Sequence, residues 1–165
     1  MSEPGISGLA TLGPGVTTGP RVIVEDGAII GRNATLVADV AIGRNAVIGD
    51  NAIIGYREDD SPESLPREQR LVTIGEGAKV RSGTVVYWGV FLGDHSHIGH
   101  NAVIRERTRI GEDTYVGPLS VVENDTTVGA RVGIQTKCYV TANCHIDDYA
   151  FLAPCVVTCN DNAMQ

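Results

Sequence analysis

From Ile74 onward every sixth residue is aliphatic: Ile74, Val80, Val86, Leu92, Ile98, Ile104, Ile110, Val116, Val122, Val128, Ile134, Val140, Ile146 and Leu152. Four places after each stands a small or β-branched residue, from Ala78 and Thr84 through to Ala150 and Val156. A period of six fits neither a helix nor a long strand, whose side chains repeat about every 3.6 and 2 residues. It fits a β-solenoid, in which each hexad is one short strand and one turn. Gly75, Gly93, Gly111 and Gly129 follow the aliphatic residue at intervals of eighteen, and Asp147 takes the next place. Three hexads therefore close one coil. The chain reads as an all-β parallel solenoid of triangular coils stacked at about 4.8 Å. The aliphatic residues and the small fifth-position residues fill its interior.

The same register holds earlier. Ile6, Leu12, Val24, Ile30, Leu36, Ile42, Ile48 and Ile54 keep the first position, with Thr18 the one lapse. Between Ile54 and Ile74 the register returns only by leaving out a loop, Tyr56 to Val72, rich in charge and carrying Pro62 and Pro66. It reads either as a solvated excursion or, because long loops in compact repeats are often functional, as an arm to a neighbouring subunit or a cover over a site. The expected organisation is one domain over residues 1–165 with a protruding loop at 56–72. After Val156 the pattern lapses at Thr158 and Asn162, without a visible polar cap. A solenoid needs its last coil covered. Either another chain covers it or the natural protein continues past Gln165.

Composition excludes several classes. The net charge is −7, so nonspecific binding to nucleic acid or to an anionic membrane is not expected. No apolar run approaches the roughly 20 residues of a membrane span. No basic region followed by an apolar core opens the chain, which points to the cytoplasm. Cys138 and Cys144 fall on the inward fifth position and read as reduced core residues. Cys155 and Cys159 fall off it, without a metal-site spacing.

Chemistry must then use outward residues. Grouping by eighteen places Tyr87, Arg105, Glu123 and Thr141 in one outer column. Beside it run Trp88, Glu106, Asn124, Ala142 and Asn160, then Gly89, Arg107, Asp125, Asn143 and Asp161. This edge is rich in charged and amide groups, although Asn and Asp are also ordinary turn residues. His95, His97 and His100 fall in one segment, GDHSHIGH, at hexad positions four, six and three. A zinc site made from them within one chain would be strained, and no metal is expected. A single histidine titrating near neutrality suits a general base. His100, on a turn, is the candidate, and the others read as surface residues.

The hexads, with IGHNAVIRE at 98–106, VVEND at 121–125, IQ at 134–135 and LAPCVVTCNDN at 152–162, resemble the hexapeptide-repeat acyltransferases, a left-handed parallel β-helix family. Among these they are most similar to the bacterial N-acetyltransferases of nucleotide-linked amino sugars. The left hand comes from the resemblance alone, since parallel crossovers in general favour the right. The resemblance implies a homotrimer with active sites in the clefts between subunits. It implies acetyl-CoA or another acyl-CoA as co-substrate, with no bound cofactor, and a sugar nucleotide as acceptor. His100 and Glu123 would be catalytic; Arg105, Glu106, Asn124, Asn160 and Asp161 would bind substrate. The sequence departs from the pattern in stopping at the NDN segment, where relatives continue for several coils. Two other readings stand beside acyl transfer. One is a noncatalytic or truncated solenoid scaffold. The other is a zinc hydratase like the γ-class carbonic anhydrases, disfavoured because no histidine follows Gly99-His100 until His145.

Overall fold

A computed structural model describes residues 5–58 and 64–160. Within them lie 23 short strands in three parallel sheets of eight, eight and seven strands. Wall A holds strands such as Val72–Ile74, Phe91–Leu92 and Arg109–Ile110. Wall B holds Lys79–Val80, His97–Ile98 and Tyr115–Val116, and wall C holds Val85–Tyr87, Val103–Ile104 and Val121–Val122. Successive coils pair at the expected interval of eighteen, for example Val103 with Val121 and Ile104 with Val122. A bridge from Tyr139 to Val157 begins one more rung on wall C. The chain is a parallel β-solenoid of about eight coils, as the hexads predict.

The interior follows the two predicted positions. First-position residues from Val24 to Val140 are buried apart from those near the ends, and fifth-position residues from Val22 to Cys138 line the same core. Most of the polar fifth-position residues are tolerated because the hydroxyl finds a backbone carbonyl, the buried Ser96 hydroxyl being without a partner among the described residues. Thr84 donates to the Gly99 carbonyl at 2.8 Å, Thr108 to Glu123 at 2.7 Å, Thr114 to Gly129 at 2.7 Å and Ser120 to Gln135 at 2.9 Å. A small hydroxyl therefore fits where space is narrow and also ties one coil to the next. Cys138 uses the same device, its thiol donating to the Ala153 carbonyl. Cys155 and Cys159 are exposed, and all four cysteines are free.

Two corner positions have different demands. Where glycine follows the aliphatic residue, coils approach too closely for a side-chain carbon. A Cβ on Gly111 would lie 2.5 Å from the Gly129 backbone, and one on Gly99 2.4 Å from the nitrogen of Pro118. The fourth position instead adopts the left-handed region, with φ near +55° at Asn45, Asn101 and Asp125. Asn and Asp accept that conformation readily, whereas a bulky aliphatic residue is strained there. Leu119 occupies such a corner at φ +60° and is half exposed. We expect Leu119→Asn to raise the unfolding free energy by about 0.5–1 kcal/mol, measured by chemical denaturation. A loss of stability would show that its contacts outweigh the backbone strain.

The excursion leaves wall C after Ile53–Tyr56 and rejoins wall A at Val72–Ile74, so Tyr56 and Val72 are themselves strand residues. Its described part includes a single helical turn, Arg67–Arg70. Its two stems are stapled to the coil beyond: the Trp88 amide donates to the Tyr56 carbonyl at 3.1 Å, and the Gly89 amide to the Arg70 carbonyl at 3.0 Å. Trp88, placed by its column on the outer edge, is consequently buried.

Candidate functional site

The corner between walls C and A departs from the glycine pattern in every coil from Tyr87 onward. Its second positions hold Tyr87, Arg105, Glu123 and Thr141, whereas the corner between walls A and B holds Gly75, Gly93, Gly111 and Gly129. Side chains are therefore projected from this edge where the glycines of the corner between walls A and B leave no room for them. Arg105 lies over the Tyr87 ring, 4.6 Å from its centroid, and Tyr87 packs edge-on against Tyr56 of the excursion stem at 5.0 Å. Arg107 lies over Trp88 at 5.0 Å. Cation–π contact of this kind holds a guanidinium in place without using its hydrogen-bond donors.

Those donors go to carboxylates. The fork of Arg105 holds Glu106 at 2.8 and 3.2 Å, and the fork of Arg107 holds Asp125 at 2.6 Å through both oxygens. Burial pushes the Glu106 carboxyl up, but the hydrogen bond and charge of Arg105 outweigh it, so Glu106 titrates below its ordinary range. The Arg107 hydrogen bond lowers Asp125 likewise. Both are committed anions and weak bases. Glu123 differs. It is half-buried, and its described partner is the Tyr139 hydroxyl, which donates to it at 3.0 Å. That hydrogen bond raises the tyrosine's own pKa. Of Glu106, Glu123 and Asp125, Glu123 alone is not paired with an arginine among the described residues. Asn124 donates to Asp125 at 2.7 Å, and Asn160 donates to the Ala142 carbonyl at 2.9 Å, keeping its own amide oxygen available. Asp161 lies outside the described residues.

The comparisons with known proteins agree with this architecture. Residues 21–56 match the model described as the hexapeptide repeat of succinyl-transferase, and residues 89–124 match that of the bacterial transferase hexapeptide (six repeats). The chain is a hexapeptide-repeat protein. It is similar to the bifunctional protein GlmU of Alkaliphilus oremlandii, 34% identical over 86 residues, which covers 52% of this chain and 16% of GlmU. The chain thus spans a small fraction of the curated relatives it matches. Among solved structures, the UDP-N-acetylglucosamine O-acyltransferase LpxA from Moraxella catarrhalis superposes with TM-score 0.60 at 22% identity, covering 93% of this chain and 64% of that one. AntD, an N-acyltransferase from Bacillus cereus solved with dTDP and coenzyme A, superposes with TM-score 0.57 at 16% identity, covering 82% and 77%.

In this hexapeptide-repeat protein the predicted site residues divide into two groups. Arg105, Glu106, Glu123, Asn124 and Asn160 share the corner between walls C and A. His100 follows the wall B strand His97–Ile98 and precedes the wall C strand Val103–Ile104, so it stands at the opposite edge of wall C. One chain does not bring His100 to Glu123. His100 is exposed, and among the described residues its ring makes no hydrogen bond. His95 sits at the corner before wall B with φ +55°, and His145 pairs with Asp147 at 3.0 Å. No group of three or more His, Cys, Asp or Glu side chains capable of holding a metal occurs among the described residues.

His97, read from sequence as a surface residue, is better fixed than His100. Its Nε2 accepts from Arg81 Nε at 2.9 Å, and its ring meets Tyr115 edge-on at 5.4 Å. Burial, followed by the charges of Arg81, Lys79 and His100, holds its pKa below the ordinary imidazole value. The signal was present in the sequence: Arg81 is a second-position exception in a column that has Gly49 before it and Gly99 after. By NMR titration we expect His97 to protonate below pH 6.5, and Arg81→Ala to restore only part of the shift, because burial is its first cause. Because the folded value is lower than the unfolded one, the neutral ring favours folding above about pH 6.5 and that contribution fades as pH falls through the folded value. A His97 midpoint at or above 6.5 would contradict the Arg81 contact.

Proposed function

We propose that the protein transfers an acetyl or other acyl group from a CoA thioester to the amino group of a nucleotide-linked amino sugar. The observation that carries this reading is the outer edge built from Tyr87, Arg105, Glu123 and Thr141, where Glu123, unlike Glu106 and Asp125, is not paired with an arginine among the described residues. An unprotonated amine attacks the thioester carbonyl, forming the C–N bond of a tetrahedral centre, and collapse of that centre breaks the C–S bond and releases the CoA thiolate. Glu123, oriented by Tyr139, takes the ammonium proton, and backbone N–H groups at a corner stabilise the oxyanion. Arg105, Glu106, Asn124 and Asn160, with Asp161, hold the acceptor. His100 acts from an adjacent copy in a homotrimer, reaching Glu123 across the cleft. The similarity to acyltransferases, one of them solved with dTDP and coenzyme A, supports the co-substrate and acceptor classes. Four free cysteines suit a reducing cytoplasm, and no helix among the described residues is long and apolar enough to cross a membrane.

Thiol release from acetyl-CoA in the presence of nucleotide-linked amino sugars tests the reading. Hydroxyl counterparts of the same sugars form the second panel. Release with the amino sugars alone is the expected result. Release with the hydroxyl panel would shift the assignment to O-acylation, and the absence of both turnover and CoA binding would leave a noncatalytic solenoid.

A further inference from the structure

We infer that the root of the excursion is an oxyanion site, formed by Arg57, Arg67 and Arg70 above Asp39, that receives a phosphate group. Asp39 is fully buried on the corner between walls C and A. Its Oδ1 accepts from Arg21 Nε at 2.5 Å, and its Oδ2 accepts from Arg21 Nη2 at 2.9 Å and Arg57 Nη2 at 2.8 Å. Little acceptor capacity remains. Arg67 Nε at 3.4 Å and Arg70 Nη1 at 3.8 Å are therefore held by charge, without a hydrogen bond.

Among the described residues, donors outnumber acceptors here. Four of the thirteen basic side chains of a chain with net charge −7 converge on this one carboxylate, so the cluster is not a by-product of basic composition. The Nε atoms of Arg57 and Arg70 are buried with no acceptor among the described residues. The nearby Glu58 is engaged elsewhere, at 3.7 Å from Arg105 and 3.4 Å from the Tyr87 hydroxyl. A second anion would relieve this excess. A phosphate group, tetrahedral and up to dianionic, offers enough oxygens and charge for two or three guanidinium groups at once, which a single carboxylate does not. The Arg67 side chain is 45% exposed and gives the cluster an opening to solvent. The site is also preformed, because the hydrogen bonds from Trp88 and Gly89 fix both stems of the excursion.

The inference is independent of acyl transfer. Isothermal titration of the full chain with inorganic phosphate, and separately with UDP, tests it against sodium chloride of equal ionic strength. Saturable binding at one site per chain is expected for at least one of the two. The double variant R67Q/R70Q should weaken it by about tenfold or more. Neither residue hydrogen-bonds Asp39, so the fold should survive, as circular dichroism would verify. UDP binding competed by phosphate would assign the group to a nucleotide, and phosphate binding alone would assign it to a free ion. A phosphate-induced rise in wild-type melting temperature beyond that of chloride provides a readout that needs no variant. No saturable binding of either probe, or binding unchanged in R67Q/R70Q, would overturn the inference.

Discussion

Asp39→Asn is expected to lower the unfolding free energy by about 3–5 kcal/mol, the range found when one partner of a buried ion pair is removed. The amide is nearly isosteric, so the loss would come from charge, not from a cavity. Four guanidinium groups would remain around a neutral side chain that is fully buried. The pair of Arg107 and Asp125 serves as the comparison, since its geometry is at least as good but its side chains are 40% and 35% exposed. Asp125→Asn should cost less than about 1 kcal/mol, because water screens an exposed pair and solvates the survivor. Chemical denaturation of both variants separates these cases. Equal losses would mean that burial of Asp39 is not what makes its charge important.

The same variant carries a pH signature. The Arg21 hydrogen bond, opposed by burial and joined by Arg57 and Arg70, holds the Asp39 carboxyl well below the usual carboxylate range. The folded value is lower than the unfolded one. Its contribution to stability is therefore complete above the unfolded value near 3.9 and declines as pH falls toward the folded value. The stability gap between wild type and Asp39→Asn should stay constant from about pH 8 to pH 5 and narrow only below about pH 4.

The walls could be read from sequence because one period controls them. Each hexad repeats the same demand for an aliphatic residue and a small partner, and a lapse such as Thr18 falls in the thinly packed first coils. The outer edge was legible for a related reason. Position two requires close backbone approach, so Tyr87, Arg105 and Glu123 in place of glycine mark an edge relieved of that constraint. The role of Asp39 is not legible in the sequence, although Arg21, Asp39 and Arg57 stand eighteen apart, in the same column as Arg107 and Asp125. Arg67 and Arg70 reach that column from the excursion, where no periodicity constrains the fold. The burial of Trp88 escapes the period for the same reason: the stem that covers it is aperiodic. His97 meets Arg81 on a diagonal of sixteen residues, which a column of eighteen does not display.

His100→Ala and Glu123→Ala are each expected to reduce acyl transfer by about 10²–10⁴-fold, the usual contribution of a positioned general base or its partner. The informative experiment mixes them. Wall C separates the two residues within one chain, so a working pair must be drawn from two copies if both act on the same acceptor. Equal amounts of the two inactive variants, unfolded and reassembled together, would place an intact His100 beside an intact Glu123 in about a quarter of clefts. Activity should return to about that fraction of wild type, while each variant reassembled alone stays inactive. Recovery requires only that complementary edges meet, so it does not depend on which residue removes the proton. Failure to recover, with mixed oligomers demonstrated by mass, would remove His100 from the site and leave Glu123 and Tyr139 to work within a single chain's corner.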